Sequence, residues 1–112
     1  MINYKQTGIR IRKQRKRLGL TQEELSEKIH ITPSFYSQIE NGVRKAGINT
    51  FVSLSQELSV SLDYILNNEV SSLDIKNFDN IEYQIFHRLK KLSKKEKEFI
   101  LNTIISFEKF IT

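Results

Sequence analysis

A chain of 112 residues with 18 Lys/Arg against 13 Asp/Glu, and so a net charge of +5, has room for one small domain plus an appendage, and its basic excess favours a polyanionic partner. With no cysteine it forms neither a disulfide nor a thiolate metal site. No apolar run approaches membrane-spanning length and the first residues carry no signal-peptide core, so a cytoplasmic location is expected. The charge is uneven. Residues 1–68 hold 10 Lys/Arg against 6 Asp/Glu, whereas residues 69–112 hold 8 against 7, which places the excess in the first part of the chain.

Residues 5–18 read as a basic first helix. Ile11, Arg15 and Leu18 recur at i, i+4 and i+7, which puts an arginine into an otherwise apolar stripe. Such an arginine needs a carboxylate partner. Arg12, Lys13, Lys16 and Arg17 are expected on a solvated face.

The stretch 21–42, TQEELSEKIHITPSFYSQIENG, reads as two short helices joined by a tight turn. Thr21 and Glu24 have the spacing of a capping box, and Leu25 and Ile29 supply the first helix with one apolar face. Thr32 opens the second helix, with Pro33 in its first turn, where a missing N–H is harmless. Tyr36 and Ile39 form its inward stripe, and Asn41-Gly42 ends it. Ser34, Phe35, Ser37 and Gln38 remain on the outward face. This is the layout of a helix-turn-helix whose second helix enters a DNA groove, and those four residues are the candidate base readers. Gln38 leads, because an amide donates and accepts at once and matches adenine N6 and N7. Phe35 has no hydrogen-bonding group and reads at most a thymine methyl.

The basic loop 43–47 follows. A fourth helix is expected over about 48–58, with Ile48, Phe51, Val52, Leu54 and Leu58 inward. Ser61 caps a short fifth helix that turns Leu62, Ile65 and Leu66 inward, and Tyr64 is expected to pack. Residues 68–78, rich in Asn and Ser, read as a linker. A helical hairpin follows over 79–112. Its first arm carries Ile81, Ile85, Leu89 and Leu92 on one face, and Ser93-x-x-Glu96 restarts the second arm with another capping box. In that last helix Phe99, Ile100, Ile104, Phe107 and Ile111 form a stripe that Leu101, Ile105 and Phe110 widen. One partner helix cannot cover so much circumference, so a second chain is expected there and the stripe is the candidate dimerisation surface. A membrane-surface helix is the weaker reading, since Lys94, Lys95 and Lys97 cluster at one end instead of lining a polar face.

His30 and His87 lie on separate elements without metal-ligand spacing, so no metal or cofactor is expected and each histidine is read as solvated or capping. No phosphate-cradling glycine loop, nucleophile elbow or framed carboxylate pair occurs. Nothing in the sequence supports an enzyme.

The motif pieces together carry a resemblance. Arg15-x-x-Leu18-Gly19-Leu20-Thr21-Gln22-Glu23-Glu24-Leu25, Thr32-Pro33-Ser34, Gln38-Ile39-Glu40-Asn41-Gly42 and Leu58-x-Val60-Ser61-Leu62-Asp63-Tyr64-Ile65-Leu66 follow in order over roughly residues 8–67. The segment resembles the Cro/lambda-repressor-type, or XRE-like, helix-turn-helix family. That resemblance implies an all-α fold, with a five-helix DNA-binding domain at 1–67 followed by the hairpin. It pairs Arg15 with Glu40 as a structural ion pair and sets Gln22, Asn41, Arg44 and Lys45 against DNA phosphates. It further implies a transcription regulator, most simply a repressor binding a palindromic operator as a homodimer. His30 and Ser59 stand where the family usually has glycine, so each must take positive φ or shift its turn. Ala46-Gly47 replaces a common Pro-Ser and weakens the cap of the next helix. The tail is similar in arrangement to SinR-type repressors, in which a hairpin also pairs with a small antagonist protein. The competing reading is an antitoxin whose tail grips a toxin while its first domain autoregulates.

Overall fold

Seven helices account for the regular structure in the computed structural model, which describes residues 2–67 and 78–111. The expected linker at 68–78 lies almost wholly outside the described residues. The order is α1 (Tyr4–Arg17), α2 (Gln22–Lys28), α3 (Pro33–Glu40), α4 (Ile48–Leu58), α5 (Leu62–Asn67), α6 (Asn80–Leu89) and α7 (Lys94–Ile111). No helix among the described residues is long and apolar enough to cross a membrane.

The helix starts follow their side chains. Thr21 Oγ1 accepts from Glu24 N–H at 3.0 Å while Glu24 Oε1 accepts from Thr21 N–H at 3.0 Å. Ser93 and Glu96 exchange the same pair of bonds at 3.2 and 2.9 Å. Thr32 caps α3 through Phe35 N–H, and Ser61 caps α5 through Tyr64 N–H. Gly47 caps α4 with no side-chain bond, the weakened start expected of Ala46-Gly47. His30 and Ser59 take φ of 61° and 55°, so of the two expected outcomes both residues adopt the left-handed backbone. Such a conformation is uncommon for residues with a Cβ.

α1 runs through the centre and touches α3, α4, α5 and α6. Ile11, Leu25, Tyr36, Ile39, Phe51, Leu54, Leu58 and Ile65 are buried into one core. Two polar threads cross it. Gln14 Nε2 donates to Tyr64 Oη at 2.8 Å, and the Arg10 guanidinium donates to the carbonyls of Ile65 and Leu66, holding the end of α5. Ile48 is an exception to the expected inward face of α4, being 58% exposed. It is the first residue of the helix.

α6 does not float free of the domain. Tyr83 is fully buried within the core cluster, and its hydroxyl donates to the Leu58 carbonyl. His87, one turn on, is buried and hydrogen-bonded through Nδ1 to Ser59 Oγ. The face picked out by hydrophobic spacing points the other way, with Ile81 and Ile85 exposed. The reason is Arg17. It lies over the Tyr83 ring at 4.3 Å from the centroid and donates to the Phe78 carbonyl at 2.7 Å and to Asn80 Oδ1 at 3.2 Å. An amphipathic tyrosine and a histidine satisfy this partly polar seat better than isoleucines can. Arg17 is therefore a clamp, not the solvated cation expected, and His87 is a buried contact, not a solvated or capping one. By contrast α7 buries none of its 18 residues.

Candidate nucleic-acid interface

The recognition element is α3, and two close approaches set its position. At Gly8 of α1 a Cβ would come within 2.1 Å of the Glu40 carbonyl oxygen, so only glycine lets α1 lie against the end of α3. Gly42 turns the chain out of α3 at φ +75°, with the Lys5 backbone 2.6 Å from where its Cβ would be.

The Arg15–Glu40 pair is bidentate: Arg15 Nε donates to Glu40 Oε2 and Nη2 to Oε1, both at 3.0 Å. Arg15 Nη1 also donates to the Leu20 carbonyl at 2.7 Å, so one guanidinium ties α1 to α3 and to the turn before α2. Both side chains are buried, and such a pair holds only with this many hydrogen bonds. Burial pushes the Glu40 carboxyl up, but the hydrogen bonds from Arg15 and Gln22, together with the Arg15 charge, outweigh it and hold the group below its usual range. The Arg15 hydrogen bond to Glu40 outweighs burial and raises the guanidinium.

Gln22, expected at a phosphate, opens α2 and donates through Nε2 to Glu40 Oε1 at 3.2 Å. One amide N–H is thus committed inward, which fixes the side chain and leaves the second N–H free of that bond. On α3, Ser34 is exposed and Ser37 and Gln38 are half-buried. The Gln38 carbonyl accepts from Val43 and Arg44 N–H at 3.0 and 3.3 Å, which folds the basic loop back onto α3. Its side-chain amide has no partner among the described residues. Phe35 is half-buried against the core, with the Arg44 guanidinium 5.4 Å from its ring centroid. Lys45 stands at the same distance over Tyr4. Asn41, Arg44 and Lys45 are exposed. The structure therefore gathers Gln22, Gln38, Asn41 and Arg44 around the C-terminal end of α3, and it gives Phe35 a packing role as well.

The tail residues are elsewhere. Phe99, Ile104, Phe107 and Ile111 of α7 are 46–70% exposed and Ile100 is half-buried. Leu89, Ile100, Leu101 and Ile104, with Lys97, line a groove of about 290 Å³ where α6 and α7 part. Among the described residues no group of His, Asp and Glu could hold a metal ion. Sequence reasoning missed Arg10, Gln14 and Arg17, each polar on a helix of high charge. Only their fixed spacing from Tyr64, Leu66 and Tyr83 in space marks them.

A helix-turn-helix family model matches residues 11–65. Over 59 residues the chain is 39% identical to the HTH-type transcriptional regulator YqaE of Bacillus subtilis (strain 168), covering 53% of this chain and 51% of that one. It is 34% identical over 62 residues to the HTH-type transcriptional regulator ImmR of the same organism, covering 55% and 49%. The chain thus spans about half the length of the curated relatives it matches. Among solved structures, the clp gene regulator ClgR from Corynebacterium glutamicum aligns with a TM-score of 0.55 over 96% of this chain and 95% of that one; at 18% identity the likeness is one of fold. A chain of the SinR protein/SinI protein complex aligns with a TM-score of 0.53 over 91% of this chain and 97% of that one, at 26% identity.

Proposed function

The chain belongs, through residues 11–65, to the XRE-like helix-turn-helix family of transcriptional regulators, and we propose that it represses transcription by binding a palindromic operator as a cytoplasmic homodimer. One observation carries this reading. The inner face of α3 is locked by Tyr36, Ile39 and the Arg15–Glu40 pair, while the Gln38 side-chain amide, beside the exposed Arg44, has no partner among the described residues. In this reading Ser34, Ser37 and Gln38 meet base edges, with Phe35 against a thymine methyl. Gln22, Asn41, Arg44 and Lys45 hold the phosphates on either side, so register comes from the backbone and choice from the bases.

The second copy is proposed to cover α7. Eight apolar side chains on an 18-residue helix with no buried residue exceed what a monomer ordinarily leaves in water. A small antagonist protein is a further partner for the same surface, by likeness to the SinR chain solved in complex with SinI.

The test is selection of bound duplexes from a random pool. An inverted repeat with half-site centres roughly 34–36 Å apart is expected. A pool that stays random after selection overturns the reading.

A further inference from the structure

Where α6 settles on the first five helices it leaves a cleft of about 260 Å³, far from the locked face of α3 in its lining residues. Leu18 and Leu20 contribute apolar wall, and the charges come from three helical segments: Lys28 of α2, Glu57 of α4, and Arg88 and Lys91 at the end of α6. The cleft is short of negative charge. Its one carboxylate is taken, with Glu57 Oε2 3.7 Å from Lys91 Nζ. Lys28 and Arg88 have no ion-pair partner among the described residues.

His87 also lines the cleft. Its Nδ1 is committed to Ser59, and Nε2 has no protein partner among the described residues, yet is not sealed from solvent. Burial holds its imidazole below the usual value, with Lys91, Arg88 and Lys28 pushing the same way and Glu57 opposing. Cations in the last turns of α2 and α6 could simply answer helix ends. Those ends are already closed by backbone, however: Ile31 N–H reaches the Ser26 carbonyl at 3.0 Å, and Lys91 N–H the Arg88 carbonyl at 3.1 Å.

We propose that this cleft binds a small oxyanion, a carboxylate or phosphate group, between Lys28 and Arg88 with His87 Nε2 as a further donor. Because Lys28 belongs to α2 and Arg88 to α6, occupancy bolts α6 onto the helix-turn-helix domain. The site does not depend on the DNA reading.

The experiment follows the His87 ring proton by NMR in the full-length chain, identified by its loss in His87→Gln. Sulfate and acetate are each compared with chloride at equal ionic strength. A bound anion should raise the His87 midpoint, saturably, by on the order of half a unit to one unit. The more effective of sulfate and acetate names the headgroup class. Lys28→Ala combined with Arg88→Ala, both at exposed positions, should abolish the rise, whereas Arg44→Ala should leave it intact. Equal midpoints in chloride, sulfate and acetate overturn the site, and so does a response that survives the double variant or disappears with Arg44→Ala.

Discussion

Glu40 is the residue on which the interface hangs. It receives Arg15 twice and Gln22 once, and Arg12 Nε lies 3.8 Å away. Glu40→Ala strands a buried guanidinium and should cost about 3–5 kcal/mol in urea unfolding, while a double apolar replacement of Arg15 and Glu40 should recover most of it. The depressed Glu40 carboxyl adds a pH dependence. Its contribution is complete above the unfolded carboxylate range and is lost as pH falls through its lower folded value. Gln38 is a different case, since its side chain bonds to nothing among the described residues. Gln38→Ala should leave the melting temperature nearly unchanged yet cost about 1–3 kcal/mol on the selected operator, relaxing choice at one base pair per half-site. Equal losses on operator and random DNA would demote it to a backbone contact.

At the scale of the element, α6 decides how the tail relates to the domain. It is seated by Tyr83 and His87 and clamped by Arg17, and Gln84 Nε2 adds a bond to the Arg17 carbonyl at 3.3 Å. The Lys91–Glu57 pair, open to solvent at the lysine and half-buried at the glutamate, adds little to that seat. The His87 imidazole is lowered in the docked state, so docking favours the neutral ring. Docking stability should be complete above the ordinary histidine value of 6.5 and fall as pH drops through it towards the lower docked value. Hydrogen exchange of α6 amides at pH 7.5 and 5.5, expressed as protection factors to remove the intrinsic rate, should show weaker protection at the lower pH. His87→Gln should lose that dependence.

For the whole molecule, the division that matters falls after α6. The side chains of residues 92–111 are all exposed or half-buried, so a chain cut after residue 91 should melt within a few degrees of the full one. Sedimentation should show it self-associating more weakly, and operator binding should weaken in parallel, because one dimer holds two half-sites. An unchanged dimer would remove α7 from the self-association surface. A cut at residue 68 is a poorer test, since it also strips Tyr83 and His87 from the core. The field of the molecule is tested separately. Arg44→Ala should weaken binding alike on all sequences and flatten the log K against log salt slope by about one unit per half-site. An unaltered slope would take Arg44 away from the phosphates.

Local rules sufficed for the helix-turn-helix. Thr21-x-x-Glu24, Thr32-Pro33 and Asn41-Gly42 set helix ends through bonds made within four residues, so their consequences can be read along the chain. The apolar spacing of Leu25, Tyr36 and Ile39 likewise named the inward faces of α2 and α3. Even Arg15 could be recognised as a buried cation in need of a carboxylate from its place in an apolar stripe, although only the family resemblance named that carboxylate as Glu40. The seat of α6 was of another kind. Nothing near Arg17 in sequence distinguishes it from Lys13 or Lys16, and Ile81 and Ile85 are the more hydrophobic candidates for an inward face. What turned the helix over was a surface assembled from the end of α1 and the α4–α5 junction, where exposed carbonyls and a guanidinium made hydrogen bonding worth more than apolar area. That surface exists only after the five helices have packed, so the tertiary structure alone decided that Tyr83 and His87 face inward and that the isoleucines are left to water.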